Sequence, residues 1–460
     1  MRSCDTWEAI SRRKCVRIII NIQKWYPEIP NIEEEHATLE SGGKEPRRRR
    51  EEKTMNNINI DHKDSLFRVT ESYKDALDLL ISLGFDNLKD EEKRSTLGKL
   101  VTIGDSLKSK GISLNAFIEQ LEERIALSEG SVKAVSNQED TVHMAGVLPC
   151  PVRVPLLETF EEWHSSQNLG YHLEYDLKAA SMGIGWLEES LKSEEIEKLP
   201  DVFISAGFDM FFDKKLFGKY KSRDLFEDLM DFEHYNEDFE NESLRLRDPK
   251  KQYSMIGVVP AVFLVNVKEL GDRKMPRSWE DVLKDEFRNS ISLPVSDFDL
   301  FNAILLNIYK MYGEEGIVKL GRNMQRSMHP SEMVKSHAKL LERPSVTIMP
   351  YFFTKMVKSG GPMEAVWPED GAIMSPIFLL TKKEKKEKLK PIVDFLSSKG
   401  VGEILSHNGR FPSTNPEVDN RISKENRYMW LGWDFIEEHD LTQLIRRCED
   451  LFNQAMKGEI

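Results

Sequence analysis

The sequence contains little cysteine. It has four cysteines in 460 residues, at positions 4, 15, 150 and 448. None of them has the Cys-x-x-Cys spacing of a zinc or redox site. Four cysteines in so long a chain also do not suggest the disulfide framework of a small secreted protein. This usage predicts a protein that works in a reducing compartment.

Long apolar segments are also missing. The sequence has no run of 18 or more apolar residues, which excludes an ordinary transmembrane helix. Near the amino terminus the sequence has only the short run VRIII at 16–20, whereas a signal peptide needs a longer apolar core. We therefore expect a cytoplasmic protein that does not insert into a membrane.

Basic residues are too few for a protein that binds nucleic acid. The chain has 65 Lys and Arg against 78 Asp and Glu, for a net charge of −13. An acidic protein is repelled by phosphate backbones and by anionic membrane surfaces. Since 40% of the residues are hydrophobic, the chain has enough apolar material for two or three packed domains. These values predict a globular protein without a nucleic-acid partner.

Changes in composition along the chain divide it into four parts. Residues 1–54 include the basic run RRRR at 47–50, and we expect them to be an extension without a folded role, with the true start at Met55. Residues 55–130 show apolar positions at three- and four-residue spacing, which is typical of amphipathic helices. Residues 131–142 form a polar linker, and residues 143–460 form the main domain.

The predicted helical domain resembles a domain of unknown function that precedes other domains in proteins of anaerobic bacteria. Typical members carry a cysteine motif, but this chain has no cysteine between Met55 and Pro149. We therefore expect this domain to serve partner binding or packing rather than redox chemistry.

From residue 143 onwards, short apolar strands alternate with helical stretches. Such alternation predicts βαβ units around a mostly parallel sheet. In these sheets, ligands lie beyond the carboxyl ends of the strands, where helix amino termini present free amides. The stretches GVLPCPVRV at 146–154 and ISAGFD at 204–209 fall at such ends.

The residues at these strand ends have alternative roles. Cys150, between Pro149 and Pro151, is a nucleophile, a metal-bound thiolate or a small residue in a pocket wall. Arg153 is a clamp for a carboxylate or phosphate, or part of a surface ion pair. Ser205 and Gly207 offer a hydroxyl and a backbone N–H to an anion, or belong to an ordinary turn.

Several segments in the second half of the chain carry a resemblance to a known family. They are PRSWEDVL at 276–283, PEDGAIMSPIFLL at 368–380, KPIVDFLSSKGVGEIL at 390–405 and RFPSTNPEVDN at 410–420. Their order resembles that of type 2 solute-binding proteins of ABC importers, and most closely the iron(III) branch, over about residues 143–423. The resemblance implies an α/β, two-lobe, periplasmic-binding-protein-like fold after a small all-α domain. It also implies crossover strands near 257–267 and 371–380 and a hinge motion over the ligand.

The resemblance also implies which residues face the cleft. The ferric branch uses neighbouring tyrosines as ligands, but the matching stretch MPYFF at 349–353 offers Tyr351 alone. His329 and Ser331, at a helix start, complete the second wall. The candidate metal ligands are Cys150, His329 and Tyr351. The full set of predicted ligand-binding residues is Pro149, Cys150, Pro151, Arg153, Ser205, Ala206, Gly207, His329, Ser331 and Tyr351.

These features together predict a non-enzymatic solute-binding protein that holds a small anionic or polar ligand between two lobes. It needs no cofactor. Fe(III) is the metal that the resemblance implies, but a single tyrosine is a weak basis for a ferric site. Its partners are the ligand and either an ABC permease or an intracellular protein. The alternatives are a cytoplasmic ligand sensor or partner-binding protein, and an enzyme with Cys150 as nucleophile and His329 as base.

Overall fold

The computed structural model describes residues 58, 60–82, 85–109, 114, 117, 118, 121, 125, 141–179, 195–295, 298–338 and 343–460. The predicted extension 1–54 lies outside the described residues. So do residues 131–140 of the predicted linker. The predicted domain boundaries stay a prediction.

Ten strands form the sheet, and we number them in chain order. They are β1 Thr141–Leu148, β2 His172–Ala179, β3 Val202–Ala206, β4 Ser254–Asn266, β5 Ile291–Leu293, β6 Met324–Ser327, β7 Val346–Pro350, β8 Met363–Val366, β9 Ala372–Thr381 and β10 Tyr428–Met429.

The helices of the described residues are numbered in the same way. They are α1 Leu66–Ser72, α2 Lys74–Ser82, α3 Glu91–Leu100, α4 Ile103–Ser109, α5 Cys150–Ser166, α6 Asp209–Phe212, α7 Val267–Leu270, α8 Trp279–Val282, α9 Phe298–Asn323, α10 Pro330–Met333, α11 Lys386–Leu396, α12 Lys399–Glu403, α13 Trp433–Glu438 and α14 Leu441–Lys457. Short 3-10 helices include Tyr351–Met356, and a π-helical turn covers Ile404–Asn408.

The helices α1 to α4 surround a small core of their own. Val69, Ala76, Leu80 and Ile103 are almost completely buried in it. Ala76 and Leu80 belong to the helical apolar pattern of the sequence, whose spacing places them on one face of α2. The predicted helical unit is therefore present in the described residues.

Two long strands connect the two halves of the main sheet. The strand order is β2-β1-β3-β9-β4-β7-β5-β6, with β10 beside β9 and β8 beside β4. The first half of β4, up to Pro260, pairs with β9, and the second half, from Ala261, pairs with β7 and β8. We call the part built on β1, β2 and β3 lobe 1 and the part built on β5 to β8 lobe 2. The expected α/β two-lobe fold class is confirmed.

Strand register shows where the carboxyl ends of the strands point. In lobe 1, β3 ends at Ala206, opposite Ile377 of β9. In lobe 2, β7 ends at Pro350, opposite Ala261 of β4. The crossover from one lobe to the other lies between these two points, at about Pro260. The parallel strands of both lobes therefore end at the crossover, where a type 2 fold binds its ligand.

The start of α8 is fixed by a capping box and by a buried tryptophan. The Ser278 side chain accepts a hydrogen bond from Asp281 N–H, and the Asp281 carboxylate accepts one from Ser278 N–H, as in a capping box. Trp279 is fully buried and meets Phe263 of β4 edge to face, with 5.0 Å between ring centroids. The Trp279 indole N–H donates to the Gly371 carbonyl at 2.9 Å, which joins α8 to the start of β9.

A buried ion cluster joins three segments of lobe 1. The Asp201 carboxylate lies 3.0 Å from Lys382 Nζ and 2.9 Å from Lys385 Nζ, and it accepts a hydrogen bond from His143 N–H at 3.0 Å. Burial alone would raise the pKa of Asp201. The contacts with Lys385, His143 and Lys382 outweigh burial and hold that pKa below its usual range.

We predict that Asp201→Asn lowers the free energy of unfolding by about 3–5 kcal/mol, because it leaves the buried Lys382 ammonium without its counter-charge. A lowered carboxyl pKa stabilises the folded protein above the unfolded value of about 3.9, and this contribution is lost as the pH falls through the folded pKa. Urea unfolding at several pH values measures both effects.

The matched control is Asp231→Asn, because Asp231 is 81% exposed and pairs with Lys390 at the surface. We expect this change to cost about 0–1 kcal/mol. Equal losses of stability for the two variants would contradict a structural role for the buried cluster.

Candidate functional site

The two lobes touch where the chain leaves β7. The 3-10 helix Tyr351–Met356 of lobe 2 packs against residues His407–Phe411 of lobe 1, and we call these two segments the interlobe junction. The ring of Phe352 lies 6.2 Å from that of Phe411, at an angle of 19°. Lys355 Nζ donates to the carbonyls of His407 and Asn408, at 2.7 Å each.

Arg410 crosses this junction from an unusual backbone conformation. It follows the π-helical turn and has a φ of 49°, in the left-handed region that arginine rarely adopts. π-Helical turns and left-handed residues both occur often at functional sites. The Arg410 guanidinium lies 4.9 Å from the centre of the Tyr351 ring, and it also donates to the Thr354 hydroxyl. The local backbone thus directs a cation from lobe 1 onto lobe 2.

Three cations gather at the interlobe junction. Burial lowers the pKa of Lys355, and the positive charges of Arg410 and Arg421 lower it further. Among the described residues, none of these three side chains forms an ion pair with a carboxylate. A group of cations without a counter-charge produces a positive potential that suits an anion.

Aromatic side chains extend from Tyr351 away from Arg410. The ring of Trp367 meets that of Tyr351 at 5.2 Å and that of Tyr428 at 5.3 Å, both edge to face. The Tyr428 hydroxyl is buried and has no hydrogen-bond partner within the described part of the chain. Burial, and then the nearby Asp238 and Tyr351, raise its pKa well above the usual value. Tyr428 is therefore a neutral group that is able to donate a hydrogen bond.

The predicted residues of the first strand end lie at the start of α5. Pro149 precedes the helix, Cys150 is its first residue, and Pro151 follows. The Arg153 guanidinium donates two hydrogen bonds to the Leu177 carbonyl of β2, at 3.0 and 3.2 Å. Part of the Arg153 side chain thus holds α5 to the sheet, and the predicted ligand contacts of this segment stay a prediction.

The predicted residues of the second strand end lie at the end of β3. Ser205 is fully buried, and its hydroxyl donates to the Ala206 carbonyl at 3.0 Å. Gly207 has a φ of 108°, which glycine adopts without strain. Because β1 and β3 are parallel neighbours, Gly207 and Pro149 lie at the same edge of lobe 1. Their roles toward a ligand also stay a prediction.

His329 and Ser331 interact with each other at the start of α10. His329 Nδ1 accepts a hydrogen bond from Ser331 N–H at 3.3 Å and lies 2.7 Å from the Ser331 hydroxyl. Phe353 meets the imidazole edge to face. Burial lowers the pKa of His329, although Glu332 opposes this effect. In this structure His329 is a helix cap, and the predicted metal set of Cys150, His329 and Tyr351 stays a prediction.

Of the predicted residues, Tyr351 contacts side chains that the sequence did not single out. Arg410, Lys355, Trp367 and Tyr428 were missed. Arg410 lies in the segment NGRFPST, where Asn-Gly signals a turn but does not show what the following side chain meets. Arginine after a turn signal is the one hint that the sequence contained.

A family model of bacterial extracellular solute-binding proteins matches residues 197–439, slightly more than half of the chain. A second model, a domain of unknown function called DUF1858, matches residues 60–118. No curated protein matches the chain. The second match agrees with the resemblance expected for the helical domain.

Solved structures also resemble the chain. The apo ferric ion-binding protein A of Pasteurella haemolytica is 12% identical with a TM-score of 0.51, and the match covers 68% of this chain and 98% of that protein. The ferric binding protein of Campylobacter jejuni is 14% identical with a TM-score of 0.48, and the match covers 68% and 99%. At such identities the likeness concerns the fold alone, and the Pasteurella haemolytica structure is the one that supports it.

The family match corrects one prediction. The expected cytoplasmic location is wrong, because the matched family consists of extracellular solute-binding proteins of bacteria. Among the residues that the structure describes, no helix has both the length and the apolar character needed to span a membrane.

We predict that His329 stays neutral at pH values below the usual histidine pKa of about 6.5, because burial penalises the imidazolium. Such a group stabilises the folded protein above the unfolded pKa, and that contribution is lost as the pH falls. NMR titration of the imidazole checks this, with His329→Gln to assign the signal. A midpoint at or above 6.5 would contradict the prediction.

Proposed function

We propose that this chain, which belongs to the family of bacterial extracellular solute-binding proteins, binds a small anionic solute at the interlobe junction. Arg410 and Lys355 neutralise the charge of the solute, and Tyr351 and Thr354 lie beside it. The binding requires no chemical step, so the protein acts as a carrier rather than an enzyme.

The position of Arg410 is the observation that carries this proposal. A left-handed arginine costs backbone energy, of order 1–3 kcal/mol, and persists only where the surroundings hold it. Its guanidinium has five N–H donors, while Thr354 is the hydrogen-bond acceptor seen on it among the described residues. A carboxylate or phosphate accepts two parallel hydrogen bonds from such a group.

The topology supports a role for both lobes. Arg410 comes from lobe 1, whereas Tyr351, Thr354 and Lys355 come from lobe 2. An anion between them contacts both lobes at once and therefore favours the closed arrangement by its differential affinity. The crossover strands β4 and β9 act as the hinge.

Two of the predicted segments lie at the carboxyl edge of the lobe 1 sheet. The 17-residue helix α5 begins at Cys150, directly after β1, so its first amides point toward the carboxyl edge of lobe 1. Helix amino termini favour anions because unpaired N–H groups and the helix dipole converge there. In the proposal, residues 149–153 and Gly207 form the lobe 1 wall that closes over the solute.

Ferric iron is the second candidate ligand, because the similar structure from Pasteurella haemolytica is a ferric ion-binding protein. Within the described residues, no group of three or more His, Cys, Asp or Glu could hold a metal ion. The three cations at the junction repel Fe(III) and attract an anion, so we favour the anion. An ABC permease is the proposed partner, as the resemblance to importer proteins implies.

We predict that Arg410→Gln weakens anion binding by about 2 kcal/mol or more, roughly 30-fold, because the anion loses a charge-assisted pair of hydrogen bonds. Calorimetry and thermal unfolding with inorganic phosphate, sulfate, acetate and Fe(III)-citrate measure this. A ligand at 100 times its dissociation constant stabilises the protein by about 2.7 kcal/mol.

The control is Arg446→Gln, because Arg446 is an exposed arginine on α14, away from the interlobe junction. We expect it to bind as the unaltered chain does. Binding of Fe(III)-citrate with no response to any of the simple anions would replace the anion proposal with the ferric one.

A further inference from the structure

The aromatic group beside Arg410 differs from the aromatic core of the protein. Core rings such as those of Phe203, Phe263 and Trp279 are completely or almost completely buried. Tyr351, Trp367 and Tyr428 are only half-buried, although they contact one another. Half-buried rings at a binding junction are typical of surfaces that pack against another molecule.

The three rings pack edge to face, at interplanar angles of 81° and 90°. Tyr428 also packs on the buried ring of Phe239, at 5.0 Å between ring centroids, which anchors the group to the core. Aromatic rings of a bound molecule pack on protein rings in the same edge-to-face or offset-stacked arrangements. Arg410 covers one face of Tyr351, so charge and aromatic surface meet at that residue.

The Tyr428 hydroxyl is a second, independent observation. It is buried without a hydrogen-bond partner among the described residues. An unpaired buried hydroxyl costs free energy, so each such group in a folded protein needs an explanation, of which a bound partner is one. In the series of contacts from Arg410 through Tyr351 and Trp367, this hydroxyl belongs to the last ring.

We infer that the solute is an aromatic anion, such as an aryl carboxylate or an aryl phosphate. Its charged group binds Arg410, its flat ring packs beside Tyr351 and Trp367, and Tyr428 donates to a ring substituent. This inference rests on the proposed function and narrows it to one class of solute. Carboxylate and phosphate share the chemistry that Arg410 recognises, so both are tested.

The experiment compares two pairs of anions that differ in the ring alone. Calorimetry on the full chain gives dissociation constants for benzoate against acetate and for phenyl phosphate against methyl phosphate. In at least one pair, we expect the aromatic member to bind tenfold more tightly or better. A tenfold difference corresponds to about 1.4 kcal/mol, which is within the range of aromatic packing.

The variant Trp367→Leu removes the central ring, and we expect the tenfold ratio to fall to about twofold or less. Trp367→Phe keeps a ring and is expected to recover most of the ratio, which separates ring packing from a loss of folding. The matched control is Trp163→Leu, because Trp163 is also half-buried but stacks on Phe395 in lobe 1, away from the interlobe junction. We expect it to leave the ratio unchanged.

The outcomes distinguish this inference from the proposal beneath it. If acetate and methyl phosphate bind as tightly as their aromatic counterparts, the anion site stands and the aromatic class is overturned. If none of the four anions binds, the proposed function is overturned, and the aromatic class with it. A tenfold ratio that Trp367→Leu leaves intact places the ring elsewhere and also overturns the inference.

Discussion

The two crossover strands are the constraint on which the rest of the structure depends. β4 pairs with β9 up to Pro260 and with β7 and β8 from Ala261, so its backbone hydrogen bonds run from one lobe to the other. Register places the last residue of β3 beside Ile377 of β9 and the last residue of β7 beside Ala261 of β4. The carboxyl ends of β1, β3 and β7 therefore meet at the crossover, whichever side chains they carry.

Near the crossover, one arginine adopts a strained backbone conformation that places its charge against the other lobe. Arg410 adopts a left-handed backbone after a π-helical turn and reaches Tyr351 and Thr354 of the other lobe. Lys355 reaches back to lobe 1 and binds two of its carbonyls. Charged groups therefore make contacts across the interlobe junction in both directions.

The family match identifies the class of protein, whereas the geometry of the interlobe junction bears on the kind of solute. The match establishes a solute-binding protein and moves it out of the cytoplasm. It leaves the solute open, because a structure at 12% identity shares the fold but does not fix the ligand. The cationic junction and the half-buried rings are properties of this chain's own residues, and the proposal of an aromatic anion rests on them.

The sequence by itself determined the α/β class, because the periodicity of strands and helices depends on neighbouring residues. The crossover segments and Tyr351, in the stretch MPYFF, were implied by the resemblance to solute-binding proteins. The sequence did not select Arg410, Trp367 or Tyr428, which are separated from Tyr351 by between 16 and 77 positions. Only the tertiary structure decided which residues form this group. Hydrogen bonds across β9 and the packing of one lobe on the other bring distant segments together, and no local sequence pattern records such contacts.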